Sequence, residues 1–205
     1  MSTLEVVAVI FNIVGVWLTA QRIRWCWPVN VVAVLLYAWI FHGVKLYSDM
    51  LLQLVFAVLQ GYGWWRWSSG HSVSGKVRIE RLPAREGLLG LAVGLAGAGL
   101  LGALMQHFTD AALPWLDSAL SAFSLVASLW AARKYAASWY LWIVLDSVYV
   151  GLFLYKDLYL TAALYAGFIV LAVYGLRTWQ KDLQAQERSR TALPDAATQA
   201  AHQHG

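Results

Sequence analysis

The sequence predicts an all-α membrane protein with seven transmembrane helices, three plus one plus three, in which the two groups of three are copies lying the same way round. Composition is the first reason: 60% of the 205 residues are hydrophobic and 13% charged, with 12 Trp and 10 Tyr and a mean hydropathy of +0.56, a balance that belongs in a bilayer. The second is an internal repeat. Moving the chain past itself by 112 residues, without a gap, sets Phe11 on Phe123, Trp27 on Trp139, Tyr37 on Tyr149, Phe41 on Phe153, Tyr62 on Tyr174, Gly63 on Gly175 and Trp67 on Trp179. Trp and Tyr are too rare for hydrophobic bias to bring so many into one register, so a duplication is expected. The third is the spacer: one span between the copies returns the second copy to the membrane in the orientation of the first, giving a parallel repeat.

The first span is Leu4–Thr19. Glu5 is its only charge, whereas a secretory signal would open on positive charge, so a retained helix is expected. The second, Trp25–Gly43, starts with Trp25 and Trp27 at one interface and places Pro28 in its first turn, where a missing N–H costs little. The third, Met50–Trp67, carries Gln53 and Gln60 on one face. The polar stretch 68–85 reads as a connector. The fourth span, Gly87–Met105, lacks aromatic and charged residues, and its small pairs Gly90/Gly94 and Ala98/Gly102 let another helix approach closely. It reads as a packing strut. Spans five to seven run Trp115–Ala132, Ser138–Tyr155 and Leu158–Arg177, with Asp117 a candidate cap for the fifth. The units are thus 1–67, the connector 68–85, a linker helix 86–106, the second three-helix unit 107–179 and a polar cytoplasmic tail 180–205, helix-permissive at first and expected to lack structure at its end.

Charge orients the chain. With the amino end outside, the inner segments hold Arg22 and Arg24; Arg66, Lys76, Arg78, Arg81 and Arg85; Arg133 and Lys134; and Arg177, Lys181, Arg188 and Arg190. The outer loops keep only Lys45 and Lys156, which places the carboxyl end in the cytoplasm. The net charge of +4 resides in these short loops and does not point to nucleic acid. The single cysteine, Cys26, excludes an intramolecular disulfide and a Cys-based metal site. His42, His71 and His107 stand apart, His202 and His204 fall in the tail, and neither a clustered nucleophile nor a His-Glu-x-x-His is present, so no enzyme, metal or cofactor chemistry is expected. No ATP-binding loop is present either.

The sixth span holds a carboxylate near its middle. Wound at 100° per residue, Trp139, Trp142, Asp146, Tyr149 and Phe153 fall within roughly 80° of arc, so one wall carries four aromatic faces around one acid. An ionisable group at mid-membrane costs roughly 2.5–3.5 kcal/mol on insertion scales, which directs it to a protein interior or polar cavity. Hydrogen bonding to a neighbouring helix would satisfy Asp146. So would a substrate cavity, and aromatic planes beside an acid suit a flat cationic organic molecule. The repeat puts Trp27, Asn30, Val34, Tyr37 and Phe41 on the matching wall of the second span, so the halves are chemically unequal. Asn30, Gln53 and Gln60 serve equally as interhelical glue or ligand contacts, Trp139 and Trp142 as interfacial anchors or site residues, and Asn12 and Ser124 as a hinge or cavity wall.

The runs Leu46-Tyr47-Ser48-Asp49-Met50-Leu51-Leu52-Gln53, Gln60-Gly61-Tyr62-Gly63-Trp64-Trp65-Arg66-Trp67, Asp117-Ser118, Arg133-Lys134-Tyr135 and Trp139-Tyr140-Leu141-Trp142 resemble the PnuC family of bacterial vitamin-precursor transporters, across roughly residues 5–179. The resemblance implies a full-length SWEET-like fold in the bacterial inner membrane, uptake of nicotinamide riboside by facilitated diffusion, trapping of the product by a cytosolic kinase, and a homo-oligomer, namely a trimer. By the same resemblance Asn30, Gln53, Trp64, Trp139 and Trp142 line the binding site. Two positions depart from the family: Asp146 and Gln60 stand where Asn is expected. An acid at Asp146 favours a cation, and both the pyridinium of nicotinamide riboside and the thiazolium of thiamine supply one. Thiamine uptake is therefore the alternative substrate reading, and a non-transporting vitamin-binding or scaffold protein the alternative of another class. The substrate-binding set is Asn30, Gln53, Gln60, Trp64, Trp139, Trp142, Asp146 and Tyr149.

Overall fold

The computed structural model describes residues 3–43, 45, 47–69, 77–109 and 113–203, with side chains up to 189 except those of 47 and 48. Leu46, His71, Lys76 and His204, used above, lie outside the described residues, as do the side chains of Arg190 and His202. Seven helices run through the described residues: α1 (Thr3–Ala20), α2 (Cys26–Gly43), α3 (Tyr47–Ser68), α4 (Ala84–Phe108), α5 (Pro114–Ala132), α6 (Ser138–Tyr155) and α7 (Tyr159–Gln203). Apart from the far end of α7, they fall within a few residues of the apolar runs that predict them.

Four details differ from the expectation. Among the described residues six helices are long and apolar enough to cross a bilayer; α3 does not reach that hydropathy because Asp49, Gln53, Gln60, Arg66 and several aromatic residues dilute its apolar stretch. The tail, expected to be helix-permissive at first and unstructured at its end, stays helical further than that, since α7 continues to Gln203. Asp117 is not the cap of α5: Leu113 takes that position with Pro114 at the start of the helix, and Asp117 sits in the first turn, where a carboxylate meets the positive end of the helix dipole. Trp27 does not lie at an interface but is 3% exposed in a core of indoles; Trp25 is exposed as expected.

Six helices close into a ring. Each packs on two neighbours in the order α1, α2, α3, α5, α6, α7 and back to α1, while α4 lies outside against α5. Among the described residues the helices opposite one another in this ring, α1 and α5, α2 and α6, α3 and α7, do not meet backbone to backbone. The ring interior is therefore reserved for side chains.

Several local features recur at positions 112 residues apart. Arg22 (φ 61°) and Lys134 (φ 67°) are left-handed in corresponding turns, as are Lys45 (φ 60°) and Asp157 (φ 57°). Trp27 meets Trp67 edge-on at 5.3 Å, and Trp139 meets Trp179 edge-on at 5.5 Å. Tyr37 stacks on Phe41, and Tyr149 on Phe153. Other contacts pass reciprocally between the halves. The Trp67 indole donates to the Ala131 carbonyl (3.3 Å), and the Trp179 indole to the Thr19 and Ala20 carbonyls (3.3 and 3.2 Å). Gln21 donates to the Tyr174 hydroxyl at 2.6 Å, and Tyr62 lies within hydrogen-bonding reach of Arg133.

The strut α4 packs as its small residues predict. A side chain at Gly90 would run into Trp130, at Gly94 into Phe123 and at Gly102 into Trp115, so the α5 aromatics fill the α4 glycine positions. Glu86 and Arg133 tie the two helices at one end. Overpacking such a face costs typically about 1–3 kcal/mol. Gly94→Leu is accordingly expected to lower the unfolding temperature in detergent by several degrees, whereas Gly99→Leu, where a Cβ meets nothing within 4 Å, leaves it unchanged.

Candidate functional site

The acid wall of α6 faces inward. Tyr140, Val144, Ser147, Val148, Gly151 and Leu154 are exposed, while Trp139, Leu145, Asp146 and Leu152 are buried and Trp142, Tyr149 and Phe153 half-buried. Asp146 is 6% exposed, so its carboxyl is turned away from lipid, as the cost of a charge in hydrocarbon requires. Among the described residues no cation pairs with it and no donor bonds it.

Its surroundings come from three helices. Trp142 and Tyr149 lean on a small apolar cluster of Leu120, Ala127, Leu145 and Leu152. The Tyr149 phenol reaches the buried Ser124 hydroxyl of α5 and lies in the field of Asp146 and Asp117. From α7, Tyr165 packs on Tyr149 at 4.8 Å and Phe153 at 5.1 Å, with Asp146 again in electrostatic range. Phe168 closes the group edge-on to Tyr165 at 5.7 Å. One unpaired acid therefore sits beside a run of stacked and tilted aromatic rings, the arrangement that attracts a flat cation.

The remaining expected residues divide by position. Trp139 is 3% exposed, wedged against Gly175 and Trp179 in the indole core near Arg22. Trp64 leans on the same core and on Trp25. Asn30 packs closely on Gly15 of α1, and Gln53 is half-buried on α3. Gln60 is 9% exposed, and its Oε1, with the Nε1 of Trp27 and of Trp139, is buried without a hydrogen-bond partner among the described residues. A buried polar atom left unpaired costs about 1–3 kcal/mol, so these three atoms suit a ligand's donors and acceptors. The structure thus places Trp64 and Trp139 in the indole core and Tyr149 with the smaller apolar cluster beside Asp146, with Trp142 packed against both. Among the described residues no hydrogen bond joins Asp146 to Asn30, Gln53 or Gln60.

Sequence reasoning passed over Tyr165, and it set Trp27 on the matching wall of the second span without counting it in the substrate-binding set. Both were within its reach, since the repeat register sets Tyr165 on Gln53 and Trp27 on Trp139. Outside the helices, burial and the neighbouring Arg66 guanidinium hold the Lys134 ammonium below its ordinary range against the pull of Glu80.

A multi-pass helical ring with an inward, unpaired acid among aromatic rings is the build of a membrane transporter for a small organic solute. The chain belongs to the nicotinamide mononucleotide transporter family, whose sequence model matches residues 2–181. It is 28% identical to the nicotinamide riboside transporter PnuC of Escherichia coli (strain K12), over 80% of this chain and 78% of that one. It is 25% identical to the riboflavin/roseoflavin transporter RibM of Streptomyces davaonensis, over 94% and 90%. Among solved structures it resembles the crystal structure of the vitamin B3 transporter PnuC, with a TM-score of 0.71, 25% identity, and coverage of 89% of this chain and 82% of that one. The expected PnuC resemblance therefore stands.

Proposed function

We propose that this protein takes up nicotinamide riboside by facilitated diffusion, with the solute held inside the six-helix ring beside Asp146. One observation carries the reading: a buried carboxylate that has no cationic partner among the described residues and is flanked by aromatic rings. A desolvated cation over such rings gains about 2 kcal/mol or more, and pairing with Asp146 relieves the acid's own burial. In this reading the pyridinium lies near Asp146, Trp142 and Tyr149. Gln60 and Trp139 meet the polar groups of the solute, and Asn30, Gln53 and Trp64 line the other half.

The features recurring 112 residues apart support a three-plus-one-plus-three parallel repeat of SWEET-like type, with α3 as a seventh span whose polar face turns into the ring. Alternating access would then come from rocking one copy against the other. The distribution of Lys and Arg supports an amino end outside and a cytoplasmic carboxyl end in the bacterial inner membrane. A homotrimer and trapping by a cytosolic kinase complete the proposal. Thiamine is the second reading, because its thiazolium meets Asp146 equally well.

The test is counterflow. Liposomes holding the purified chain and unlabelled nicotinamide riboside, without ATP, should accumulate the labelled compound; tight binding without flux would make the protein a receptor instead. Parallel binding of nicotinamide riboside, its mononucleotide, thiamine and riboflavin separates the substrate readings. The cations should bind more tightly than riboflavin, and a preference for riboflavin would remove Asp146 from its proposed role.

A further inference from the structure

We propose that the indoles of Trp67 and Trp179 form the gate through which solute leaves the ring at its Arg22 end, and that residues 77–82 are the bolt that holds this gate shut. The proposal rests on the transport reading.

The ring geometry is the starting point. α3 and α7 stand opposite one another without backbone contact, yet Trp67 and Trp179 meet across the interior at 6.1 Å, 1% and 0% exposed. From a second opposed pair, α2 and α6, Trp27 and Trp139 add their edges to these two rings. Four indoles from four helices thus fill one end of the ring. Toward Lys45 the aromatic pairs Tyr37/Phe41 and Tyr149/Phe153 stack along their own helices, and Tyr165 meets the second pair from α7, the ring neighbour of α6.

Both gate indoles bond to the opposing half, and all three acceptors lie in the last turn of a helix, Ala131 of α5 for Trp67 and Thr19 and Ala20 of α1 for Trp179. The Ala131 and Thr19 carbonyls also accept from the Lys134 and Arg22 amides of the turns that follow (2.9 and 3.0 Å), and a helix-end carbonyl with a lone pair to spare accepts from water as readily as from an indole. When this end opens, water replaces each indole one for one, so the latch is closed but not costly to break.

The bolt joins the same two places. The Val77 amide donates to the Arg22 carbonyl (3.4 Å), and the Glu80 amide to the Lys134 carbonyl (2.9 Å). Arg22 and Lys134 are the left-handed residues of the corresponding turns. Ile79, 1% exposed, is buried in the indole core, and Arg78 and Arg81 clip the segment to Gln186 and Glu187 of α7. The halves cannot part at this end until residues 77–82 release one of the turns.

The native Cys26 reports on the gate, being fully buried in the same indole cluster. In the full-length protein in nanodiscs, N-ethylmaleimide should modify Cys26 slowly. Trp179→Phe and Trp67→Phe keep the ring and delete the donor, and Ile79→Ser loosens the bolt. Each should speed the modification about five- to tenfold, the population shift expected from losing roughly one neutral hydrogen bond, with affinity for nicotinamide riboside unchanged. Unaltered labelling in variants that still bind nicotinamide riboside overturns the gate. Should the Trp variants fail to fold, Ile79→Ser and the exposed Arg81→Ala decide on the same readout. Counterflow by the unmodified protein is measured alongside: its absence overturns the transport reading, whereas flux with constant labelling overturns the gate alone.

Discussion

Asp146→Asn is expected to weaken binding of nicotinamide riboside by roughly ten- to a hundredfold, the factor that corresponds to losing a charge-assisted contact of about 1.5–3 kcal/mol. The neutral reduced form of the same compound should lose far less. The two ligands share their ribose and carboxamide and differ in the pyridinium charge, so the gap between their losses isolates ion pairing from shape. Asn is nearly isosteric with Asp, and the site at Asp146 keeps its packing on Tyr149 and Trp142. A second consequence has the opposite sign. In the unliganded protein the carboxyl is 6% exposed and has no cationic partner among the described residues, a burial that an amide bears at lower cost. The variant without ligand should therefore unfold at a higher temperature than the parent, while the ligand-induced shift shrinks. Isothermal titration with both compounds and thermal unfolding with and without them give the four values needed. Equal losses for the charged and neutral ligands would refute the pairing role.

How far the sequence could lead is clearest at particular residues. The inward turn of Asp146 followed from the cost of a charge in hydrocarbon, a term large enough to outweigh local packing. The fit of α4 on α5 followed from missing side chains, because a glycine row can serve only a close neighbour. The meeting of Trp67 with Trp179 was not legible. A repeat states which positions are equivalent, not how the two copies face one another, and the reciprocal indole bonds exist only once they do. Trp27 misled for a related reason: beside Arg24 and Trp25 it looks like part of an interfacial belt, and the slot that buries it is created by Gly63 on another helix. That α7 could run on into the polar tail was legible, but not how far, because that sequence has no apolar stripe. Its support is lateral, from Arg22 to Asp182, Arg78 to Gln186 and Arg81 to Glu187.

Gly63 and Gly175 offer the second large effect, and it is one that must come in a pair. A Cβ at Gly63 would overlap the six-membered ring of Trp27, and one at Gly175 that of Trp139. Neither indole has room to yield, since Trp27 is held edge-on by Trp67 and Trp139 by Trp179, and all four are 3% exposed or less. Gly63→Leu and Gly175→Leu should each reach or exceed the upper part of the range of about 1–3 kcal/mol for overpacking. The expected result is a lower unfolding temperature or loss of the folded protein from a size-exclusion profile. Gly61→Leu and Gly167→Leu are the controls: a Cβ there meets nothing within 4 Å, and replacing a mid-helix glycine recovers up to about 1 kcal/mol of helix propensity. The comparison also tests the repeat, because two slots built alike should fail alike. Strong destabilisation at one glycine with tolerance at the other would mean that the halves, though alike in sequence register, do not carry equivalent cores. Tolerance at both would mean that the indoles can move aside, and the rigid closure at the Arg22 end would lose its physical basis.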